Sequence, residues 1–212
     1  MRVVEVTGIA GVGKSYIINQ LNQNKEIILD STVMQQHHLN DVRLGFFFFK
    51  SKNSFEMLKI IVQISLGLRR GLFHKVNFIR NSIKKIGKNY FLIHDKENQL
   101  ILVDEGISHL YQNIIACNQN DTKSIELIDR LILLSNFSNR VVIVDAPQEV
   151  IFERLKNRGH KRLERDNEIL QFIKNSKINL EIIKKHFKDV IMIQNETNID
   201  LAPKIKLILS AN

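Results

Sequence analysis

Cysteine is almost absent from this chain of 212 residues: Cys117 stands alone, so no disulfide can form within it. Proline is nearly as scarce, with only Pro147 and Pro203, and no low-complexity stretch or internal repeat divides the sequence. No segment approaches the roughly 18 uninterrupted apolar residues of a membrane span, since even Met57 to Leu68 carries Lys59 and Gln63. An integral membrane protein is thereby excluded, and a peripheral contact is left open. Acidic residues are also in deficit, 22 against 31 lysines and arginines, for a net charge of +9. That balance favours anionic partners such as phosphates, nucleic acid or an acidic membrane, without choosing among them. The first residues enter a strand-like run with no signal-like segment ahead, which together with the lone cysteine predicts a reducing cytoplasm. At 44% hydrophobic content the length suits one domain, residues 1–212, with an elaboration.

What is present begins with Gly8 to Ser15, Gly-Ile-Ala-Gly-Val-Gly-Lys-Ser, directly behind the apolar run Val3 to Val6. Every fixed position of the pattern G-x-x-x-x-G-K-[ST] is filled, in a strand–loop–helix context. In such a loop the backbone N–H groups form an anion nest, and the following helix N-terminus adds partial positive charge. Lys14 can reach the outer phosphates and Ser15 can offer its hydroxyl to Mg²⁺. The predicted nucleotide-binding set is Gly8, Gly11, Val12, Gly13, Lys14, Ser15 and Tyr16. A purely structural glycine turn is the competing explanation.

Five short β-branched or aliphatic runs stand out: Arg2 to Thr7, Glu26 to Leu29, Leu100 to Val103, Arg140 to Val144 and Val190 to Ile193. Helical patterns separate them, predicting a three-layer α/β fold with a five-stranded parallel sheet covered on both faces. Helices are expected over Lys14 to Asn22, Ser108 to Ala116, Lys123 to Phe137, Gln148 to Asn157, Asp166 to Phe187 and Leu201 to Leu209. Residues 31–99 form a long excursion after the second strand, read as mostly helical, including Phe55 to Leu68 and Leu72 to Lys88. It is the natural place for an acceptor-binding insertion. Tyr90 to His94 also reads as strand-like and could form a hairpin with the third strand.

A second chemical signal is Ile101-Leu102-Val103-Asp104-Glu105-Gly106, an apolar strand ending in two carboxylates. In a doubly wound sheet that end lies beside the phosphate loop. Asp104 then completes a Mg²⁺ site with Ser15, and Glu105 can polarise a water or hydroxyl. Without the loop, the same pair would be only a solvated strand end.

The third signal runs from Val141 through Asp145-Ala-Pro147 and Glu153-Arg154-Leu155 to the basic run Arg158-Gly-His-Lys-Arg162. This segment resembles the fourth strand and lid of nucleoside monophosphate kinases, with thymidylate kinase and the deoxynucleoside kinases nearest. With the phosphate loop and the Asp104 strand, the resemblance touches most of the sheet and leaves 31–99 unmatched. It implies an adenylate-kinase-type fold with strand order 2-3-1-4-5 and a mobile lid over 158–166 whose arginines, Arg158 and Arg162, grip the transferring phosphoryl group. An exposed basic helix end is the alternative. Those families carry an acceptor-positioning arginine after the third strand, whereas Glu105-Gly106 stands here. A glutamate would repel an acceptor phosphate, so an uncharged hydroxyl suits the site better. Such an acceptor wants a base near the end of the second strand, where Asp30 stands as catalytic base or as helix cap.

Leu72 to Lys88 is a basic amphipathic helix, with Val76, Ile79, Ile83 and Ile86 on one side and Lys75, Arg80, Lys84, Lys85 and Lys88 largely on others. It is compatible with lying on anionic lipid, holding an anionic acceptor, or packing on the core with a solvated outer face. The run Phe46 to Phe49 is expected to be buried packing, and His37, His38, His94, His109 and His160 lack metal-site spacing. The expected activity is Mg-ATP-dependent transfer of a γ-phosphoryl group to a nucleoside, nucleotide or sugar-like acceptor. Lys14, Asp30, Glu105, Arg158 and Arg162 are its catalytic candidates. A P-loop ATPase or nucleotide-dependent switch acting on a protein or nucleic acid is the competing class. Nucleic acid is not the expected partner, and a homodimer is compatible with the sequence.

Overall fold

A computed structural model describes residues 2–68, 71–94, 100–110, 122–135, 140–159, 165–187, 189–195, 203 and 208. Its centre is a five-stranded sheet of β1 (Arg2–Gly8), β2 (Ile27–Leu29), β3 (Leu100–Asp104), β4 (Arg140–Asp145) and β5 (Val190–Gln194). Every pairing is parallel and the order is β2-β3-β1-β4-β5. Strands covered on both faces need apolar residues on both, and Val141 to Val144 on β4 are accordingly all buried. Burying each such side chain contributes roughly 1.5–3 kcal/mol.

Register brings the two chemical strand ends together. Val6 pairs with Asp104 on one side and Val142 on the other, while Gly8 is level with Val144. The phosphate loop therefore rises from the sheet beside the end of β3. The two-residue period of β1 also sorts its side chains between layers. Val4 and Val6 join the larger core cluster, whereas Val3 packs with Val33, Leu92, Ile101 and Val103 on the opposite face. Glu5 shares the face of Val3, and it is completely buried there.

Helix α1 (Lys14–Asn22) follows the loop and buries Ile17, Ile18 and Leu21. Between β2 and β3 stand α2 (Asp30–Gln36), α3 (Asp41–Lys50), α4 (Ser54–Gly67) and α5 (Leu72–His94). The Asn40 side chain caps α3, accepting the Arg43 N–H at 3.0 Å. After β3 come α6 (Thr122–Leu134), α7 (Gln148–Asn157) and α8 (Asp166–His186). Of the expected helix over 201–209, only Pro203 and Ile208 are described, and the one begun at Ser108 is described only as far as Leu110. No helix among the described residues is long and apolar enough to cross a membrane.

Two local expectations are corrected. Tyr90 to His94 is the last turn of α5 and not a strand: Leu92 is buried against Val3, Ile101 and Val103, and His94 Nδ1 lies 2.8 Å from the Tyr90 carbonyl. Five apolar-rich residues fit either period, and continuity with the preceding helix decides the outcome. The four phenylalanines share one helix and so cannot share one side of it. Phe48 is buried and Phe47 stacks on Phe91, whereas Phe46 and Phe49 are more than half exposed.

Candidate active site

A strand that ends in glycine and reaches a helix through a short glycine-rich loop, here residues 9–13, can leave backbone donors free for an anion. Gly11 and Gly13 both take φ of 90°, and Gly13 caps α1, so the free N–H groups of the first turn face the loop's concavity. Of the predicted set, Gly8 and Val12 are buried, Gly11, Gly13 and Lys14 are half-buried, and Ser15 and Tyr16 are exposed. The loop is braced from behind by two residues that its own motif does not reveal. Arg154 on α7 donates to the carbonyls of Gly11 at 3.3 Å and Val12 at 3.1 Å. Asn195, just past β5, donates to the Val12 carbonyl at 2.6 Å. The φ of 90° favours glycine at residue 13, and a Cβ there would stand 2.2 Å from the Asn195 amide nitrogen and displace its hydrogen bond to Val12.

Lys14 bends across this loop. Its Nζ donates to the Gly8 carbonyl at 2.9 Å and the Ile9 carbonyl at 3.4 Å, and stands 3.2 Å from Glu105 Oε1. Glu105 follows β3 with φ of 52°, a left-handed conformation unfavourable for a glutamate, and its N–H reaches the Val6 carbonyl at 3.2 Å. Its other oxygen lies 3.7 Å from His109 Nδ1. Burial raises the Glu105 carboxyl, but His109 and Lys14 outweigh it and hold the group below its ordinary range. Asp104 behaves in the opposite way. Burial and then the neighbouring Glu105 carboxylate push it up, with Asp30 adding to the effect and Lys14 and Lys88 opposing it.

On the insertion side, Asp30 opens α2 behind Leu29, which occupies the cap position without a side-chain bond. The carboxylate of Asp30 is nearly buried and pairs with Lys88 Nζ at 2.5 Å. Lys85, one turn earlier on α5, donates to the carbonyls of Glu105 and, at 3.0 Å, Gly106. Helix α5 is thus basic on its outer face through Arg80 and Lys84, which pair with Asp41, while Lys85 and Lys88 turn inward to the strand ends. Beneath them lies Glu5. Its carboxylate receives the Ser108 N–H at 3.0 Å and the Ser108 hydroxyl, and burial raises its pKa against the pull of Ser108 and Lys85.

The structure therefore brings Lys14, Ser15, Asp104, Glu105 and Asp30 to one end of the sheet. Arg158 is exposed at the end of α7, followed by Gly159 at φ 61°. Arg162 and residues 160–164 of the expected lid lie outside the described residues. Glu5, Lys85, Lys88, Arg154 and Asn195 were not singled out by sequence as site residues. One signal was available for Glu5: an acidic residue inside the apolar run of a central strand has no solvent to reach.

No protein-family model matches the chain, and no curated protein matches it. Among solved structures, the chain is similar to shikimate kinase from Bacteroides thetaiotaomicron, at 12% identity over 98% of this chain and 96% of that one, with a TM-score of 0.46. A likeness at that level adds nothing to the fold read from the sheet order.

Proposed function

We propose that this protein is a Mg-ATP-dependent kinase that phosphorylates a small acceptor at an uncharged hydroxyl. The observation that carries this is the placing of two carboxylates at the ends of neighbouring strands, Glu105 after β3 and Asp30 after β2. Glu105 faces the phosphate loop through Lys14, and Asp30 faces the insertion through Lys88. Nucleotide phosphates would occupy the loop amides and displace Glu105 from the Lys14 ammonium.

The donor set suits a hard divalent cation. Asp104 is raised by burial and by the Glu105 and Asp30 carboxylates beside it, a repulsion that a cation relieves, and Ser15 offers a hydroxyl at the start of α1. Mg²⁺ held by Asp104 and Ser15 would neutralise charge on the transferring phosphoryl group. Arg158 and Arg162 would complete the enclosure from the lid side, screening the developing charge and excluding water.

Charge on the insertion side favours a hydroxyl over a phosphate acceptor. Lys88 is engaged by Asp30, and Lys85 by the Glu105 and Gly106 carbonyls, so neither inward ammonium is spare for an incoming phosphate. Asp30 would accept the hydroxyl proton as the oxygen attacks the γ-phosphorus. Incubation with γ-labelled ATP and a panel of nucleosides, nucleotides, sugars and glycolipids tests this. Label should pass to a neutral hydroxyl compound, and transfer only to monophosphates would refute the acceptor class.

One observation favours a second function, a nucleotide-driven ATPase or switch: Glu105 stands 3.2 Å from Lys14 beside the loop, from where a carboxylate could orient an attacking water. Rapid release of phosphate without any acceptor would support it.

A further inference from the structure

We propose that Lys85 is a positioning residue: from the insertion it clamps the loop after β3 and thereby fixes Asp104 and Glu105 for the Mg-nucleotide. The proposal rests on the kinase function above and adds a role for a residue outside the phosphate loop. A glutamate at φ 52° stays in that conformation only where its surroundings fix it. Two contacts do so at Glu105. On the strand side its N–H is held by the Val6 carbonyl at 3.2 Å, and on the insertion side its carbonyl and that of Gly106 both converge on the Lys85 ammonium. A single side chain thus collects two successive carbonyls that a regular strand would direct to opposite sides.

Glu5 forms the floor of the same loop. Its Oε2 would be 2.7 Å from a Cβ on residue 106, so Gly106 lies directly on the carboxylate, and Ser108 is tied to it by both N–H and hydroxyl. Lys85 is also the leading positive charge acting on Glu5. Two roles are therefore superimposed in one ammonium: a positive charge that acts on a buried carboxyl without pairing with it, and a clamp on the Glu105–Gly106 backbone. Only the second reaches the metal-facing carboxylates, and the two respond differently to substitution.

Removing Lys85 alone takes the leading positive charge away from a buried carboxyl, which is destabilising to the extent that the group is ionised. Removing both charges relieves that strain and leaves the clamp broken. We would compare Glu5→Gln, Lys85→Met and the double variant in the full chain, measuring melting temperature and, by calorimetry, ADP affinity as a function of Mg²⁺. Lys85→Met should melt early, and the double variant should regain most of the loss. Metal-free ADP affinity should be unchanged in all three. The Mg²⁺ concentration for half-maximal tightening should rise about tenfold in both variants lacking Lys85, the worth of one or two hydrogen bonds, and stay near wild type in Glu5→Gln. A double variant with the wild-type Mg²⁺ midpoint, or a Glu5→Gln shift as large as that of Lys85→Met, would overturn the clamp. If the methionine variants do not fold, Glu5→Gln/Lys85→Gln replaces them, its amide one bond short of the ammonium's reach, with the same outcomes deciding. Wild-type protein that binds ADP equally with and without Mg²⁺ would instead remove the kinase function and this proposal with it.

Discussion

Lys14 and Glu105 close on each other across the mouth of the phosphate loop, Nζ to Oε1 at 3.2 Å, so the loop's own lysine is satisfied by a carboxylate where a phosphate would sit. A nucleotide bound as proposed would have to compete with that contact. The pair is partly exposed, 14% at the lysine and 40% at the glutamate, which places its worth within the roughly 0.2–1 kcal/mol of surface ion pairs.

Glu105→Gln should therefore tighten ATP binding, by up to about fivefold, because the lysine is released and a repelling charge is removed. Equilibrium binding of a fluorescent ATP analogue checks the affinity. Phosphate release without acceptor distinguishes the two enzyme classes: in a kinase it is slow in wild type and changes little. Fast hydrolysis that vanishes in Glu105→Gln alone would assign the protein to the ATPase class.

Two arginines one helical turn apart on α7 should divide binding from turnover. Arg154 braces the loop through the Gly11 and Val12 carbonyls, whereas Arg158 stands exposed beyond it. Arg154→Met should weaken ADP binding about tenfold or more, the loss of a charged hydrogen-bonding group. If Arg158 acts as proposed, with contacts made only on closure, Arg158→Met should spare ADP binding and lower kcat by roughly ten- to a hundredfold. Equal effects of both substitutions on affinity would remove the lid role of Arg158.

The strands, the phosphate loop and the Asp104-Glu105 strand end were legible in the sequence because each is a local pattern. A short β-branched or aliphatic run, a glycine spacing and an apolar run ending in carboxylates need no tertiary knowledge. Lys85 and Lys88 were visible only as part of a basic face. Which lysines of a helix turn inward depends on what lies opposite, here Glu5 and Asp30, from segments 80 and 58 residues earlier in the numbering. Arg154 and Asn195 were illegible for the same reason, since their partners are backbone carbonyls that carry no sequence signature. The end of α5 was misjudged because Tyr90 to His94 satisfies both periods.

Stability should carry the mark of Glu5. Burial raises its carboxyl above the ordinary 4.5, with the Ser108 hydrogen bond and the Lys85 charge opposing. Between 4.5 and the raised value the native state holds this proton more than the unfolded chain does, so stability falls as pH rises through that window. Glu5→Gln has no such proton. The difference in unfolding free energy between wild type and Glu5→Gln, from urea titrations, should decline as pH rises from 4.5 and level off above the native value. Burial also pulls the Lys85 ammonium down and the Glu5 charge opposes it, so the same comparison made in a Lys85→Met background removes that contribution. A difference that stays constant with pH would show that Glu5 titrates alike in both states.

Asp30 offers the sharpest test of the acceptor side, because its carboxylate is held in place by Lys88 at 2.5 Å and is nearly buried. Asparagine preserves the shape and a hydrogen-bonding oxygen but cannot take a proton. With the acceptor identified by the labelling panel, Asp30→Asn should lower phosphoryl transfer by roughly a hundred- to ten-thousandfold, the usual contribution of a general base. ADP affinity should be retained, since the loop amides and Lys14 are untouched. Lys88→Met, by contrast, leaves the Asp30 carboxylate without its cation and should lower the melting temperature as well as the rate. Full transfer activity in a folded Asp30→Asn protein would strip Asp30 of the base role and leave it as the anchor that draws α5 onto the end of β2.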